Sequence, residues 1–391
     1  MAEAYIIEAV RTAVGKKKGA LRAIRPDDLA AMALQELQRR TGIDPAAIDD
    51  VVMGCVTQVG EQGFNVARVA ALAAGWPDTV TGTSVNRQCG SSQQAINFAA
   101  QAVMSGALDV VVGAGVESMT REPMGSDAVN GMGGEPWMGS QSKYGARYEF
   151  VMQHVSAEMV AEKYGVSRAA CEEIALRSHQ NAARAREKGY FGREIFAVDG
   201  LDKEGNAIKF AADEGIRPDT SLEKLATLAP VVKPEGVVTA GTSSQISDGA
   251  GAVMIASKEA TKRLGLKPRA KIVSMGLAGV DPIIMLTGPM PATQKALAKA
   301  GLKASDIDLY EVNEAFASVV GAFIKDVGVG ADKVNVNGGA IAIGHPLGFS
   351  GVRLMATLLH EMERRDVRRG LSTMCIGFGQ GIATIIDRQL D

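Results

Sequence analysis

Four short segments bring together the side chains best suited to chemistry. Cys89 lies in Val85-Asn86-Arg87-Gln88-Cys89-Gly90-Ser91-Ser92, where a strand-like run ends in a tight turn and a helical run begins. His345 lies in a stretch crowded by Gly338, Gly339, Gly344, Gly348 and Gly351. Cys375 ends a strand-like run and opens Gly377-Phe378-Gly379-Gln380-Gly381, and Glu311-Val312-Asn313-Glu314 closes another. A chain with only four cysteines and four histidines has placed one of each in backbone-permissive text. Thiol and imidazole set this way point to nucleophilic catalysis with proton transfer.

The turn before the helical run puts Cys89 at a helix N-terminus, where aligned peptide dipoles favour thiolate over thiol. A thiol of pKa near 8.5 is only about 3% ionised at pH 7, a deficit of about 2 kcal/mol. The dipole supplies roughly 0.3–1 kcal/mol at an exposed site and up to about 2 kcal/mol when partly buried, and an imidazole that accepts the proton supplies the rest. Taken alone, Cys89 reads equally as a small buried hydrophobe. His345 says more. Glycines permit positive φ and close backbone approach at an entropic cost, and leave amide N–H groups free to face a substrate oxygen. A histidine that only packs needs no such flanks. His154, His179 and His360 lie in helical text and read as surface or packing residues. Cys375 reads either as core or as a thiol at the C-terminal edge of a strand, where α/β sheets bind ligands. Asn313 and Glu314 stand at the same kind of edge, as site residues or as caps of the next helix.

A scaffold of alternating strands and helices must position these groups. Short apolar runs at 51–53, 110–112 and 384–386 alternate with longer Ala- and Leu-rich patterns, which predicts α/β layers around buried sheets. The text also repeats itself. Residues 34–52 and 293–310 each read as helix, glycine stop, short turn and strand. Downstream, Cys89 precedes a helical run through Met104 and a strand at 109–112, much as His345 precedes a run through Met362 and a strand at 371–374. An internal duplication is the economical account. Residues 119–247 read as an insertion, rich in Gly, Met and Ser at 124–142 and helical and charged at 157–189. The expected units are 1–118 with 248–266, the insertion 119–247, and 267–391, the last break falling at Gly265-Leu266-Lys267-Pro268.

Bulk composition excludes several classes. With 391 residues, 46% of them hydrophobic, the chain can bury large cores. Its 42 basic and 44 acidic residues nearly cancel, so no broad positive field gathers nucleic acid or anionic membrane. Cys55, Cys89, Cys171 and Cys375 lack the spacing of a zinc site and the density of a disulfide framework, which fits free thiols in a reducing compartment. No stretch reaches the roughly 20 apolar residues of a membrane span. The first residues show no secretory pattern, and Arg388-Gln389-Leu390-Asp391 is no peroxisomal address. The expectation is a cytoplasmic protein with no nucleic-acid partner and no membrane span.

In order and spacing, the Cys89 segment, Asn313-Glu314-Ala315-Phe316-Ala317, the run 335–351 and Cys375-Ile376-Gly377 resemble the thiolase family, over essentially the whole chain. The resemblance implies an α/β fold of two βαβαβαββ halves in five layers, α-β-α-β-α, with a loop domain inserted in the first half. It implies reversible thiolytic cleavage or Claisen condensation of 3-ketoacyl-CoA with CoA through an acyl-cysteine, acetyl-CoA being product or substrate. In that scheme Cys89 attacks the thioester, His345 takes its proton, and Cys375 acts as base or acid at the second substrate. One oxyanion falls to His345 with a water held by Asn313, the other to the backbone N–H groups of Cys89 and Gly377, and Glu314 supports the site from behind. Coenzyme A is a substrate, no cofactor or metal is called for, and a homodimer or homotetramer is implied.

By the same resemblance, Ser243 and Ser244 belong to a pantetheine-contacting loop, Arg217 faces the adenine and phosphate end of CoA, and Lys224 adds a phosphate contact. Phe316 and Met285 are assigned to substrate or CoA binding. Several residues depart from the family pattern. Ser92, Leu286 and Phe378 stand where glycines are usual, and Met152-Gln153 replaces a His-Met pair of biosynthetic acetoacetyl-CoA thiolases. These changes bear on the acyl pocket and tilt the expectation toward a broad degradative 3-ketoacyl thiolase over a short-chain acetyltransferase. Among rivals, Gly113-Ala114-Gly115 lacks the third glycine of a dinucleotide loop. A non-catalytic acyl-CoA- or lipid-binding relative is the stronger rival, although such proteins usually lose the nucleophile or the histidine. A decarboxylating ketosynthase would carry His or Asn where Cys375 stands.

Overall fold

The computed structural model describes residues 2–129, 147–149 and 151–390. Nine strands make the backbone of the fold: β1 (Ala4–Thr12), β2 (Asp50–Gly54), β3 (Thr81–Val85), β4 (Val110–Ser118), β5 (Ser247–Ser257), β6 (Ala270–Gly279), β7 (Leu309–Val312), β8 (Arg369–Ile376) and β9 (Gln380–Asp387). They lie in the order β7-β8-β9-β6-β1-β5-β4-β2-β3. From the β1/β6 seam outward, the first half runs β1, β5, β4, β2, β3, with two antiparallel joints followed by two parallel ones. The second half repeats this as β6, β9, β8, β7, and Val334 bridges in parallel to Tyr310 where the counterpart of β3 would stand. Duplicated text has folded into duplicated topology. Strands β4 and β5 are buried at every residue, which is why they read as continuous apolar runs with no alternation.

Helix α1 (Pro26–Thr41) covers one outer face and α2 (Val66–Ala73) packs beside it on β2 and β3. The sequence of α1 specifies both of its ends: Pro26 opens it, Asp27 and Asp28 face its positive end, Arg39 and Arg40 its negative end, and Gly42 stops it in the left-handed conformation. Between the two halves lie α3 (Ser91–Ser105) and α8 (Ser350–Arg365), packed against each other and against strands of both halves. At their crossing a Cβ on Gly351 would meet the Gln93 nitrogen at 2.1 Å, so only glycine lets the backbones approach this closely. Helix α8 is buried from Ser350 to Met362 without a gap. On the far side, α6 (Pro289–Ala300) covers β6 and β9, with α7 (Ala317–Val327) alongside. The layers therefore alternate helix, sheet, helix, sheet, helix, as expected.

The charged part of the intervening segment folds as α4 (Gln153–Tyr164) and α5 (Arg168–Glu187), the latter capped by Ser167. Helix α4 is fastened to the second half. The Ser318 hydroxyl donates to the Ala157 carbonyl at 2.9 Å, and Ser156 donates to Ile283. The Glu158 carboxylate accepts the Val237 and Val238 N–H groups at 2.8 and 3.1 Å. Most of the stretch expected to be rich in Gly, Met and Ser, 130–142, lies outside the described residues.

Candidate active site

Cys89 sits on the turn between β3 and α3, two residues before the helix begins. The turn is held by Gln88 in the left-handed region at φ 47°, a conformation uncommon for a residue with a side chain. Asn86 and Ser91 brace it: Asn86 accepts the Gln88 N–H and Ser91 accepts the Arg87 N–H, each at 2.9 Å. Polar groups converge on the sulfur. The backbone N–H groups of Gly377 and Cys89 and the Gln153 carboxamide each favour its thiolate. Even so, burial dominates and pushes the thiol up to about 11. The expected net gain from the helix dipole is thereby corrected: desolvation outweighs the local dipoles.

His345 follows a single short turn of helix, Ala340–Ile343, and Gly344 at φ 117°, a value that requires glycine. Its backbone N–H is held by the Gln245 carbonyl at 3.0 Å and the Ser247 hydroxyl at 2.9 Å. Both ring nitrogens are gripped. Nδ1 lies 2.6 Å from Ser350 Oγ and Nε2 lies 3.2 Å from Asn313 Nδ2. The single Ser350 proton goes to the Pro346 carbonyl at 2.7 Å, so Ser350 accepts from Nδ1–H and Nε2 keeps its lone pair for Asn313 and an incoming proton. Burial, then the charge of Arg353, pushes the imidazole down to about 3. The resting pair is thus a neutral thiol and a neutral imidazole.

Asn313 follows β7 directly, is fully buried, and leaves its Oδ1 without a protein partner. Glu314 is buried beside it and ties down the histidine loop: Ser178 and Asn335 donate to its carboxylate at 2.6 and 2.9 Å and the Ile341 N–H at 3.1 Å. Cys375 lies one residue before the end of β8, paired in register with Gly381 on β9. Its thiol is raised by burial first and then by the neighbouring Cys89. A cavity of about 300 Å³, lined mostly by apolar atoms, opens beside these groups. His345, Gly377, Phe378, Ser244, Phe316 and Met285 are on its walls, with Gln88, Gln153 and His154.

Other expected residues fall elsewhere. Ser243 donates to the Thr239 carbonyl at 2.7 Å and bridges to Phe316. Arg217 and Lys224 stand exposed on the intervening segment; the Arg217 N–H bonds His179 Nδ1 at 3.1 Å, and Lys224 pairs with Asp219 at 2.6 Å. Ser92 does not shape the cavity, because its hydroxyl accepts the Val352 N–H at 3.1 Å and seats α8 on α3. Leu286 is core, next to Met285 on the wall. His154, read as a surface or packing residue, lines the cavity, whereas His179 and His360 are packing residues. Neither Ser350 nor Gln153 as a site residue was legible in the sequence alone; the first had a signal, since Ser350 stands one helical turn beyond Pro346. A larger cleft near Arg22, Arg25 and Arg121 carries no comparable chemistry, its Arg25 and Arg121 being paired with Asp27 and Glu61. Among the described residues no group of three or more His, Cys, Asp or Glu is arranged to hold a metal ion, and no helix is long and apolar enough to cross a membrane.

The thiolase N-terminal domain matches residues 4–259 and the thiolase C-terminal domain residues 266–388. The chain belongs to the thiolase family. A steroid 3-ketoacyl-CoA thiolase of Mycobacterium tuberculosis is 49% identical over 392 residues, 99% of this chain and 95% of that protein. A 3-ketoacyl-CoA thiolase of Yersinia pestis is 49% identical over 394 residues, 99% of this chain and 100% of its own. Among solved structures, human mitochondrial 3-ketoacyl-CoA thiolase superposes with a TM-score of 0.90 and Bacillus anthracis acetyl-CoA acetyltransferase with 0.88, each 38% identical and covering 99% of both chains. The five-layer architecture is that of a thiolase.

One buried histidine of this thiolase gives a stability test independent of catalysis. His360 donates from Nδ1 to the Ala356 carbonyl at 2.8 Å, and burial, then Arg269, pushes its ring down to about 3. A ring kept neutral in the fold but free to ionise when unfolded stabilises above its unfolded pKa near 6.5; that contribution is lost as pH falls from there toward 3. At pH 5 the loss reaches about 2 kcal/mol. His360→Gln is therefore expected to narrow the gap between unfolding free energies at pH 7.5 and pH 5 by about 2 kcal/mol in urea titrations. An unchanged gap would mean that the ring is already charged in the fold.

Proposed function

We propose that this chain catalyses the reversible thiolytic cleavage of 3-ketoacyl-CoA by CoA, forming acetyl-CoA and a shortened acyl-CoA. The observation that carries the reading is the Cys89 sulfur, whose thiolate the amides of Gly377 and Cys89 favour, in one site with a histidine whose tautomer leaves Nε2 unprotonated, with Cys375 adjacent. Cys89 gives its proton to His345 Nε2 as sulfur bonds to the 3-keto carbon. The bond between C2 and C3 breaks, and the carbanion at C2 of the departing acetyl-CoA takes the Cys375 proton. The Cys375 thiolate then accepts the proton of entering CoA, whose sulfur attacks acyl-Cys89; Cys89 leaves and regains its proton from His345. A neutral resting pair suits this order, because charge forms only once an acyl group is there to take it. Amide donors preset around the sulfur stabilise the oxyanion of each half-reaction, and Asn313 with His345 serve the thioester enolate.

Substrate preference is inferred from the walls. Met119, Met285, Phe316, Leu347 and Phe378 give apolar surface suited to a chain longer than acetyl, and both curated relatives cited above are 3-ketoacyl-CoA thiolases. Arg217 lies two residues past Gly215, which abuts Gln245 and Ala342 close to His345, so its exposed cation is placed for CoA phosphates at the mouth, with Lys224 farther out. We place the protein in the cytoplasm, on its four free thiols, and infer a homodimer or homotetramer. The sheet edge at β3, with Phe64 98% exposed near it, offers surface for a second copy. No observation favours a non-catalytic binder. Incubation with acetyl-CoA is expected to release CoA and leave an acetyl group on the Cys89 peptide, read by mass spectrometry; absence of both would sink the proposal.

A further inference from the structure

We propose that the Gln153 carboxamide is a third donor in the hole formed by the amides of Cys89 and Gly377, and hence a further catalytic residue; this rests on the reading of Cys89 as acyl carrier. Gln153 is the first residue of α4, on the segment inserted into the first half, and it lines the cavity with His345 and Gly377. Its Nε2 lies 3.2 Å from the place a Cβ on Gly377 would occupy, directly against the backbone that supplies the second donor. The same amide is near enough to Cys89 to favour its thiolate, against the burial that raises the thiol.

The N–H groups of Cys89, Gly377 and Gln153 all act on the Cys89 sulfur in the same sense, favouring its anion. A thiol sulfur is a weak acceptor, whereas an anion beside it takes several strong donors. As the bond from sulfur to carbon forms, negative charge moves to the oxygen on that carbon, two bonds from the sulfur. Donors that bracket the sulfur are then positioned for the oxyanion. Two of them are backbone and survive any substitution. The third is a side chain, and its placement is rigid: Ser156, Ala157 and Glu158, one turn along α4, are each bonded to the surrounding fold. Such fixed donors need no reorganisation when charge appears.

The experiment compares the wild type with Gln153→Met, which keeps length and bulk but loses both N–H groups, and with Gln153→Glu, which replaces them by a carboxylate. Rapid quench with acetyl-CoA and mass analysis reads acylation. The Met variant is expected to acylate about 100-fold more slowly with KM for acetyl-CoA unchanged, and the Glu variant more slowly still. Isotope-edited infrared spectra of the acyl-enzyme provide a readout that pocket shape does not move: loss of a donor shifts the thioester carbonyl band to higher wavenumber. Acylation of the Met variant at the wild-type rate with an unmoved band would overturn the proposal. If the wild type itself takes up no acetyl group, the reading of Cys89 fails first, and the two failures are told apart.

Discussion

Cys89→Ala is expected to end acyl capture, with thiolysis falling by a factor on the order of 10⁴ or more, as for loss of a covalent nucleophile. Cys375→Ser is expected to fail differently. It should still release CoA from acetyl-CoA and hold an acetyl group on Cys89, yet neither condense nor pass the acyl group to free CoA at a useful rate. The two sulfurs sit together, both buried and both raised, so bulk reactivity cannot distinguish them. Position does. Cys89 is on a turn strained at Gln88, with N–H groups that favour its thiolate, as an attacking and leaving group requires, while Cys375 lies one residue before the end of its strand and two before Gly377. Peptide masses after acetyl-CoA treatment, with a condensation assay, separate the roles. If the Cys89→Ala variant gained an acetyl group on its Cys375 peptide at the wild-type rate, the assignment would be inverted.

Much of this site was legible because local text carried it. The glycines around His345 describe a backbone that only they can adopt, and Gly344 at φ 117° confirms the constraint in one residue. The duplicated order of helix, glycine stop and strand was legible for the same reason, since each half must bury the same pattern. What eluded the sequence is set by distance in the chain. Gln153 acts on Cys89 from the long segment between β4 and β5, and no spacing rule links residues so far apart. Desolvation is equally silent: the text around Cys89 shows a helix start, but not that β8 and the loop after it close over the sulfur and reverse the net effect on its proton. Ser92 and Leu286 misled because an unusual residue near a nucleophile suggests the pocket, whereas here one seats a helix and the other fills core.

Arg353→Met is expected to lower the unfolding free energy by about 3–5 kcal/mol, the effect of stranding a buried partner. Its Nη1 bonds Glu311 Oε2 at 2.9 Å, both side chains are buried, and Nε and Nη2 have no partner. Burial raises the Glu311 carboxyl and the Arg353 charge pulls it down, so once the cation is removed the buried acid must carry an unpaired charge or take up a proton on folding. The pair also spans the two grips on the catalytic ring. Glu311 is two residues before Asn313, which holds Nε2, and Arg353 is one turn after Ser350, which holds Nδ1. The ion pair therefore ties the strand end to the helix start with His345 between them. Combining Arg353→Met with Glu311→Gln removes the acid along with its cation, leaving nothing to strand or protonate, and should recover most of the lost stability, measured by urea unfolding. If the double variant instead loses the sum of the two single losses, the residues are not coupled. Recovery of stability together with acylation slower than wild type would locate the remaining effect in the placement of His345, since a fold restored without the tie still lacks what holds strand and helix to the ring.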